Sequence, residues 1–453
     1  MNIKWKETTS IGKWIDKDAT EIKNLESKNA DLNYRLVLTE KRDQTIEGFG
    51  GCFNELGWIA LNKIAVNQRE AVIKSLFDVE EGANFNFCRV PIGASDYAAK
   101  WYSHNEHSND FEMQHFSIER DYDYLLPYIK NALKYKQDLK LFASPWSPPT
   151  WMKTPEAYNH GRLIMEDEYL KAYALYFLKF IQAYKGEGIP IHQVHIQNEP
   201  FADQKFPSCL WSGEQFRVFI SKYLGPLFDQ EDLDVEIWLG TLNGPEQMKF
   251  LPTGKILIDL FDEYVDHVMF DTNAEKYISG IGYQWAGREA IQRTRESYPN
   301  IKLMQTENEC GDGKNTWEYA RYVFNLMRHY LRNGACSYTY WNMVLEPGGA
   351  STWGWNQNAL ITIDPKTNEV IYNPEFYVMK HFSSFVDPGA QRIEVEGAWS
   401  GSAVAFENPN GDIVVVVANN VDYTRELLIN INNENHLIEL SGYSFNTFII
   451  SPN

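Results

Sequence analysis

At 453 residues and 44% apolar content the chain is long enough for one large domain and a satellite, and no run of eighteen or more apolar residues could span a bilayer. Its 42 basic against 61 acidic residues give a net charge of −19, which repels a polyanion and speaks against a nucleic-acid partner. Cys52, Cys88, Cys209, Cys310 and Cys336 form no CxxC pair and have no histidine spaced to complete a zinc site. They read as reduced, mostly buried thiols, and neither a metal nor a cofactor is expected. The first eighteen residues carry charges throughout and lack the apolar core of a secretion signal, which points to the cytoplasm, or to secretion if a signal has been trimmed.

Residues 1–44 are polar and end in a plausible strand over 34–39 that needs a partner elsewhere in the chain. From Thr45 the character changes. Residues 46–55 read as a short strand whose Gly48, Gly50 and Gly51 suit a close approach of backbones or a turn, and a helical pattern over 65–77 follows. A second strand over 86–91 leads into a long loop with Asp96 and Tyr97, then a helix around 122–135. The third strand, 139–146, is closed by a Pro/Trp-rich loop reaching Trp151. Tyr169, Tyr173, Tyr176, Phe177, Phe180, Ile181 and Tyr184 share one face of the next helix, which Gly186 should stop. Val194, His195 and Ile196 end a short buried fourth strand, and Gln197-Asn198-Glu199-Pro200 breaks the pattern at its lip.

Ser212-Gly213-Glu214-Gln215 has capping-box form and predicts a helix through Phe216, Phe219, Ile220, Tyr223 and Leu224. Residues 235–240 are the fifth strand and 279–285 the sixth, and a seventh runs from Ile301 to end at Glu307. A helix over 317–332, stopped by Asn333-Gly334, leads to the eighth strand at 336–342. Eight such strand and helix units favour a closed parallel (β/α)8 TIM barrel over 45–388. Past about residue 390 the period switches to two, with an Asn410-Gly411 hairpin signal. This predicts a small antiparallel β-sandwich over 389–453, completed by the strand within 1–44.

Glu199 and Glu307 thus fall on the C-terminal lips of two different strands, the face on which such barrels build their chemistry. Paired carboxyl groups there suit one kind of reaction, in which a leaving oxygen is protonated from one side while a sugar carbon is attacked from the other. A carbohydrate is the expected partner, because Trp146, Trp151, Trp285, Trp341, Trp353 and Trp355 crowd the same lips, and flat aromatic faces bind the C–H faces of sugars. Any one of them taken singly could be core or rim. Arg89, at the end of the second strand, could pair with the seventh-strand carboxylate and hold it ionised, or serve a plain structural ion pair.

FGG at 49–51, RVP at 89–91, ASPWSPPTWMKT at 143–154, QNEP at 197–200, TENEC at 306–310 and YWN at 340–342 together resemble glycoside hydrolase family 30, the glucosylceramidase-like (acid β-glucosidase-like) enzymes of clan A. The similarity runs in order from Thr45 to the C-terminus. It implies a (β/α)8 barrel with a β-sandwich built from both chain ends, and a retaining β-glycoside hydrolase acting by double displacement. On this resemblance Glu199 is the acid/base and Glu307 the nucleophile; Asn198 binds the sugar 2-hydroxyl, and Trp146 and Trp341 wall the glucose subsite. The carboxyl groups should then lie about 5–5.5 Å apart, not the roughly 6.5–9.5 Å of an inverting enzyme.

Three departures from the family pattern bear on substrate. Glu55 stands where a shorter Asp would bind two glucose hydroxyls, Gln284 replaces a histidine beside Trp285 on the rim, and an added residue leaves Glu309 as a second acid near Glu307. Glu309 is the other candidate nucleophile, and otherwise an ion-pair partner on the lip. Asn356, in the 351–358 loop, is a further expected substrate contact. β-Glucosides or short β-glucans are the leading substrates; β-xylosides, β-fucosides, β-1,6-glucans and β-galactans are the alternatives. An inactive carbohydrate-binding barrel would be expected to lack one carboxylate, and both are present.

Overall fold

The computed structural model of the protein describes residues 2–18, 21–25, 34–243, 249–250, 256–257, 261–431 and 434–452. Eight parallel strands close into a barrel: β1 (Gly48–Cys52), β2 (Phe87–Ile92), β3 (Lys140–Pro145), β4 (Gln193–His195), β5 (Glu236–Leu242), β6 (Ile278–Gln284), β7 (Lys302–Glu307) and β8 (Ala335–Asn342). Each strand pairs with its neighbour in sequence, and β8 returns to β1 through pairs such as Ser337 with Gly48 and Tyr338 with Phe49. The strands are nearly continuous apolar runs because helices cover them outside and side chains fill them inside. Phe87, Phe142, Trp238, Met304 and Cys336 form that inner filling. Gly50 is required by the closure: a Cβ there would stand 2.2 Å from the Phe87 carbonyl oxygen.

The aromatic face expected before β4 is buried along a helix over Asp167–Gly186, with Tyr173, Tyr176, Phe177, Phe180, Ile181 and Tyr184 turned to the core. Its stop is Gly188 and not Gly186. Gly188 has φ +77°, while the Ile189 N–H donates to the Tyr184 carbonyl at 3.0 Å and that of Gly188 to Lys185 at 3.0 Å. This is the left-handed cap that only glycine enters without strain. The Ser212 capping box forms in both directions, and its helix continues through a π-helical turn, Ile220–Leu224, into Gly225–Gln230.

The second body is a ten-stranded, mostly antiparallel arrangement from both chain ends, with Asn2–Thr8 antiparallel to Ser444–Ser451, and Arg35–Thr45 antiparallel to Gln391–Glu396 on one side and parallel to Arg425–Ile431 on the other. Trp5, Leu36, Val395, Trp399, Val415, Leu427 and Phe448 build its core. Buried His381, on the helix Pro374–Ser383 that packs on the barrel, bonds Thr8 and Thr447 of the sandwich at 2.9 and 2.8 Å. Both strands flanking this joint therefore share a polar anchor with the barrel.

Candidate active site

A cleft of about 290 Å³ opens at the C-terminal lips of the barrel, near the lower end of the size of small-molecule sites, ~300 Å³. Glu199 and Glu307 both face it, with Asp96, Trp146, Asn198 and Trp285. Glu307 is the last residue of β7, so its side chain leaves the barrel at the rim. Glu199 lies four residues past the end of β4, on the loop that follows it. Its backbone takes φ +47°, a left-handed conformation costing a non-glycine residue about 1 kcal/mol or more. The turn is pinned by the Glu199 N–H on the Thr241 carbonyl at 3.1 Å and by the Ala202 N–H on the Glu199 carbonyl at 2.9 Å. Pinning turns the carboxyl into the cleft.

Arg89 organises the floor. Fully buried on β2, it donates to Glu307 Oε2 at 2.5 Å, to Asn198 Oδ1 at 2.7 Å and to Ser144 Oγ at 2.8 Å, with its guanidinium 4.4 Å from the centre of the Trp146 ring. Gln284 adds a bond to the same Glu307 oxygen at 2.9 Å and to Asn198 Oδ1 at 2.8 Å, and Thr241 adds a third to Asn198 Oδ1 at 3.0 Å. With its oxygen so occupied, Asn198 turns its amide nitrogen to the cleft as a donor. Glu307 keeps Oε1 uncommitted apart from a Cys310 thiol at 3.9 Å.

The two acids are held differently. Burial pushes the Glu199 carboxyl up to about 8, and the charges of Glu307 and Asp96 push the same way against a weaker pull from Arg89. Burial also raises Glu307, but there Arg89 opposes it both as a charge and as a hydrogen-bond donor. Of the pair, Glu199 is therefore the group that keeps its proton and Glu307 the one that carries the negative charge. Two carboxyl groups pushed apart in this way divide acid from nucleophile.

Several expectations are corrected by the geometry. Glu55 does not face the cleft: the chain turns at Asn54, and Glu55 opens a helix, Glu55–Leu61, instead of extending the strand. Its carboxyl takes both prongs of Arg120, at 3.0 and 2.8 Å, and the Ala99 N–H at 2.6 Å, so it ties down the loop after β2. The acid on that wall is Asp96, burial lifting its carboxyl to about 8. Asp96 is bonded to Gln357, which accepts from Asn342 at 2.9 Å, and Asn342 accepts from Asn54 at 3.0 Å. Asn356 is exposed and turned away; its neighbours Trp355 and Gln357 line the cleft. Gln284 is buried behind Glu307 and supports the site from below, not from the rim. Trp146 faces the open space and Trp341 backs it, their ring centroids 5.2 Å apart. Glu309 lines the cleft, and its carboxyl bonds the Tyr322 hydroxyl; among the described residues no cation pairs with it.

The Glu55 assignment has a direct check. Glu55→Gln is expected to lower unfolding stability by about 1–3 kcal/mol through the weakened charged hydrogen bonds, without the roughly tenfold loss of kcat/KM that removing a sugar contact brings. Thermal melts beside aryl β-glucoside kinetics decide it, and a tenfold kinetic loss at unchanged stability would restore Glu55 to the subsite.

A closed parallel barrel with one acid on the loop after β4 and another at the end of β7, and an arginine charging the second, defines a glycoside hydrolase of the clan A type. The description "Glycosyl hydrolase family 30 TIM-barrel domain" matches residues 46–386, and "Glycosyl hydrolase family 30 beta sandwich domain" matches 389–448. The chain belongs to glycoside hydrolase family 30 and is a retaining glycosidase. It is 32% identical over 410 residues to putative glucosylceramidase 1 of Caenorhabditis elegans, covering 84% of this chain and 75% of that one. With the lysosomal acid glucosylceramidase of Mus musculus it shares 30% over 448 residues, covering 91% and 83%. In fold it is similar to SrfJ from Salmonella typhimurium, with a TM-score of 0.88 at 24% identity and full coverage of both chains. Among the described residues no group of three or more His, Cys, Asp or Glu side chains could hold a metal ion, and no helix is long and apolar enough to cross a membrane.

Proposed function

We propose that the protein hydrolyses β-glucosidic bonds with retention of configuration, Glu307 attacking the anomeric carbon and Glu199 serving as acid and then base. The observation that carries this reading is the asymmetry of the two acids: Arg89 and Gln284 converge on Glu307, whereas the Glu199 carboxyl has no ion pair among the described residues and is pushed up to about 8. In the first step the Glu199 proton goes to the departing oxygen as Glu307 Oε1 bonds to carbon. Forming the ester removes the charge on Glu307, which lowers the Glu199 pKa and makes it the base that takes a proton from water. Asn198, through its amide nitrogen, binds the 2-hydroxyl, and Asp96 with Gln357 holds hydroxyls on the wall beside Trp146. Glucose is favoured as the sugar by the glucosylceramidases and the endo-1,6-beta-D-glucanase of Neurospora crassa among its relatives.

The test is hydrolysis of aryl β-glucoside, xyloside, fucoside and galactoside across pH. The glucoside should be cleaved fastest, with anomeric retention in the first-formed sugar. Because the acid form of Glu199 is required, kcat/KM should fall as pH rises through about 8, and it should fall on the acid side as Glu307 takes up a proton. Inversion, or an alkaline limb set by a group near pH 5, would defeat the assignment.

A further inference from the structure

The ring order of the strands divides the cleft. Around the closed barrel, β4 and β7 carry the two acids and separate a short arc, β5 and β6, from a long arc, β8, β1, β2 and β3. The long arc supplies the more deeply buried contacts: Asp96 after β2, Trp146 after β3 and Gln357 after β8 are 5%, 1% and 3% exposed, against 9% for Asn243 after β5. A sugar held for attack belongs where contacts are rigid, so the short arc receives the leaving group. Its polar and aromatic lining is Asn243 after β5 and Trp285 after β6, flanked by Gln204 from the Glu199 loop and by Glu309 just past β7; the small side chains Ala202 and Ala286 line it as well.

Those four groups share a chemistry. Trp285 is a half-buried indole, Asn243 and Gln204 are amides, and Glu309 is a half-buried carboxyl that bonds the Tyr322 hydroxyl and keeps acceptor capacity for a ligand. An acyl chain gains nothing from an amide or a carboxyl and would have to strip water from them. A pyranose ring matches both features, its C–H face on the indole and its hydroxyls on the polar groups.

We propose that Glu309, with Trp285, Asn243 and Gln204, forms an aglycone subsite for a second sugar ring, so that the leaving group of this enzyme is a saccharide and not a lipid. This rests on the β-glucosidase reading above and names its substrate class: β-linked gluco-oligosaccharides. Glu309 accepts a hydrogen bond from a hydroxyl of the departing sugar while Glu199 protonates its bridging oxygen. Glu309 here selects the leaving group and takes no part in bond making.

The test compares wild type with Glu309→Ala, Glu309→Gln and Trp285→Ala on gentiobiose, laminaribiose, an aryl β-glucoside and glucosylceramide in detergent. Wild type should turn over a disaccharide with higher kcat/KM than glucosylceramide. In Glu309→Ala the ratio of disaccharide to aryl-glucoside kcat/KM should fall roughly tenfold or more, the scale of a hydrogen bond to a charged group, and Glu309→Gln should recover part of it. Trp285→Ala, which leaves Glu309 in place, should lower the same ratio mainly through KM. A ratio unchanged in Glu309→Ala and Trp285→Ala, with wild type active on aryl glucoside, would overturn the subsite alone, as would preference for glucosylceramide. Wild type inactive on every β-glucoside would overturn the glucosidase reading and the subsite with it.

Discussion

Glu307→Gln should lower kcat on an aryl β-glucoside by at least about 10⁴-fold, as expected for removal of a nucleophile acting with its acid as one unit. The amide is nearly isosteric and its carbonyl oxygen still accepts from Arg89 or Gln284, so the loss reports chemistry and not collapse of the floor. A second readout follows from electrostatics. The charge of Glu307 is the largest cause after burial for the raised Glu199 carboxyl, so the variant should lower the Glu199 pKa below about 8 while burial keeps it above 4.5. Carbon-13 NMR of labelled glutamate carboxyls, with Glu199→Gln to assign the signal, measures this. If Glu307→Gln retained more than a tenth of the activity and Glu309→Gln lost it, the nucleophile would lie two residues on.

The same two acids show how far residues alone carry the reading. Glu199 and Glu307 are legible because each ends a buried apolar strand, and a strand end fixes a side chain's position in a barrel before any coordinate is known. The strand bounds themselves fall within a few residues of those read from the apolar runs, since parallel strands buried on both faces leave little else to read. Errors arise where the local conformation is set by contacts distant in sequence. The family resemblance puts Glu55 where an Asp would bind sugar hydroxyls, whereas the chain leaves the sheet after Cys52 and the longer carboxyl meets Arg120. Asp96 lies in an irregular loop whose path is fixed by Glu55 at Ala99 and by Gln357, so no period assigns its direction; its one signal is an acid among apolar neighbours after a strand lip. In the loop after β8, one residue separates exposed Asn356 from buried Gln357, and alternation alone does not say which faces inward. The strand Asn2–Thr8 is hidden by its lysines, although Trp5 is part of the sandwich core.

Arg89→Met is expected to have the largest combined effect on stability and activity. The guanidinium is the cation in direct contact with Glu307 and also sets Asn198, so its loss strands a buried carboxylate and frees the Asn198 oxygen at once. Breaking a buried pair from one side costs about 3–5 kcal/mol. The pH dependence has a definite sign. Arg89 holds the Glu307 pKa down against burial, so in the variant that pKa rises further above 4.5. A carboxyl raised in the folded state is tolerated while protonated and opposes folding once ionised. The stability deficit relative to wild type should therefore be smallest in acid and grow as pH rises from the wild-type Glu307 value, itself above 4.5, through the still higher value in the variant. Activity should fall on the order of 10²-fold through misplacement of the nucleophile and the 2-hydroxyl contact, and the acid limb of kcat/KM should move to higher pH. Arg89→Lys keeps the charge but not the fork that reaches Glu307, Asn198 and Ser144 together, so it should restore most of the acid limb and little of the turnover. Denaturant unfolding at pH 5 and pH 8, beside pH–rate profiles of both variants, gives the answer. An unmoved acid limb in Arg89→Met would mean that Glu307 is charged by something other than Arg89.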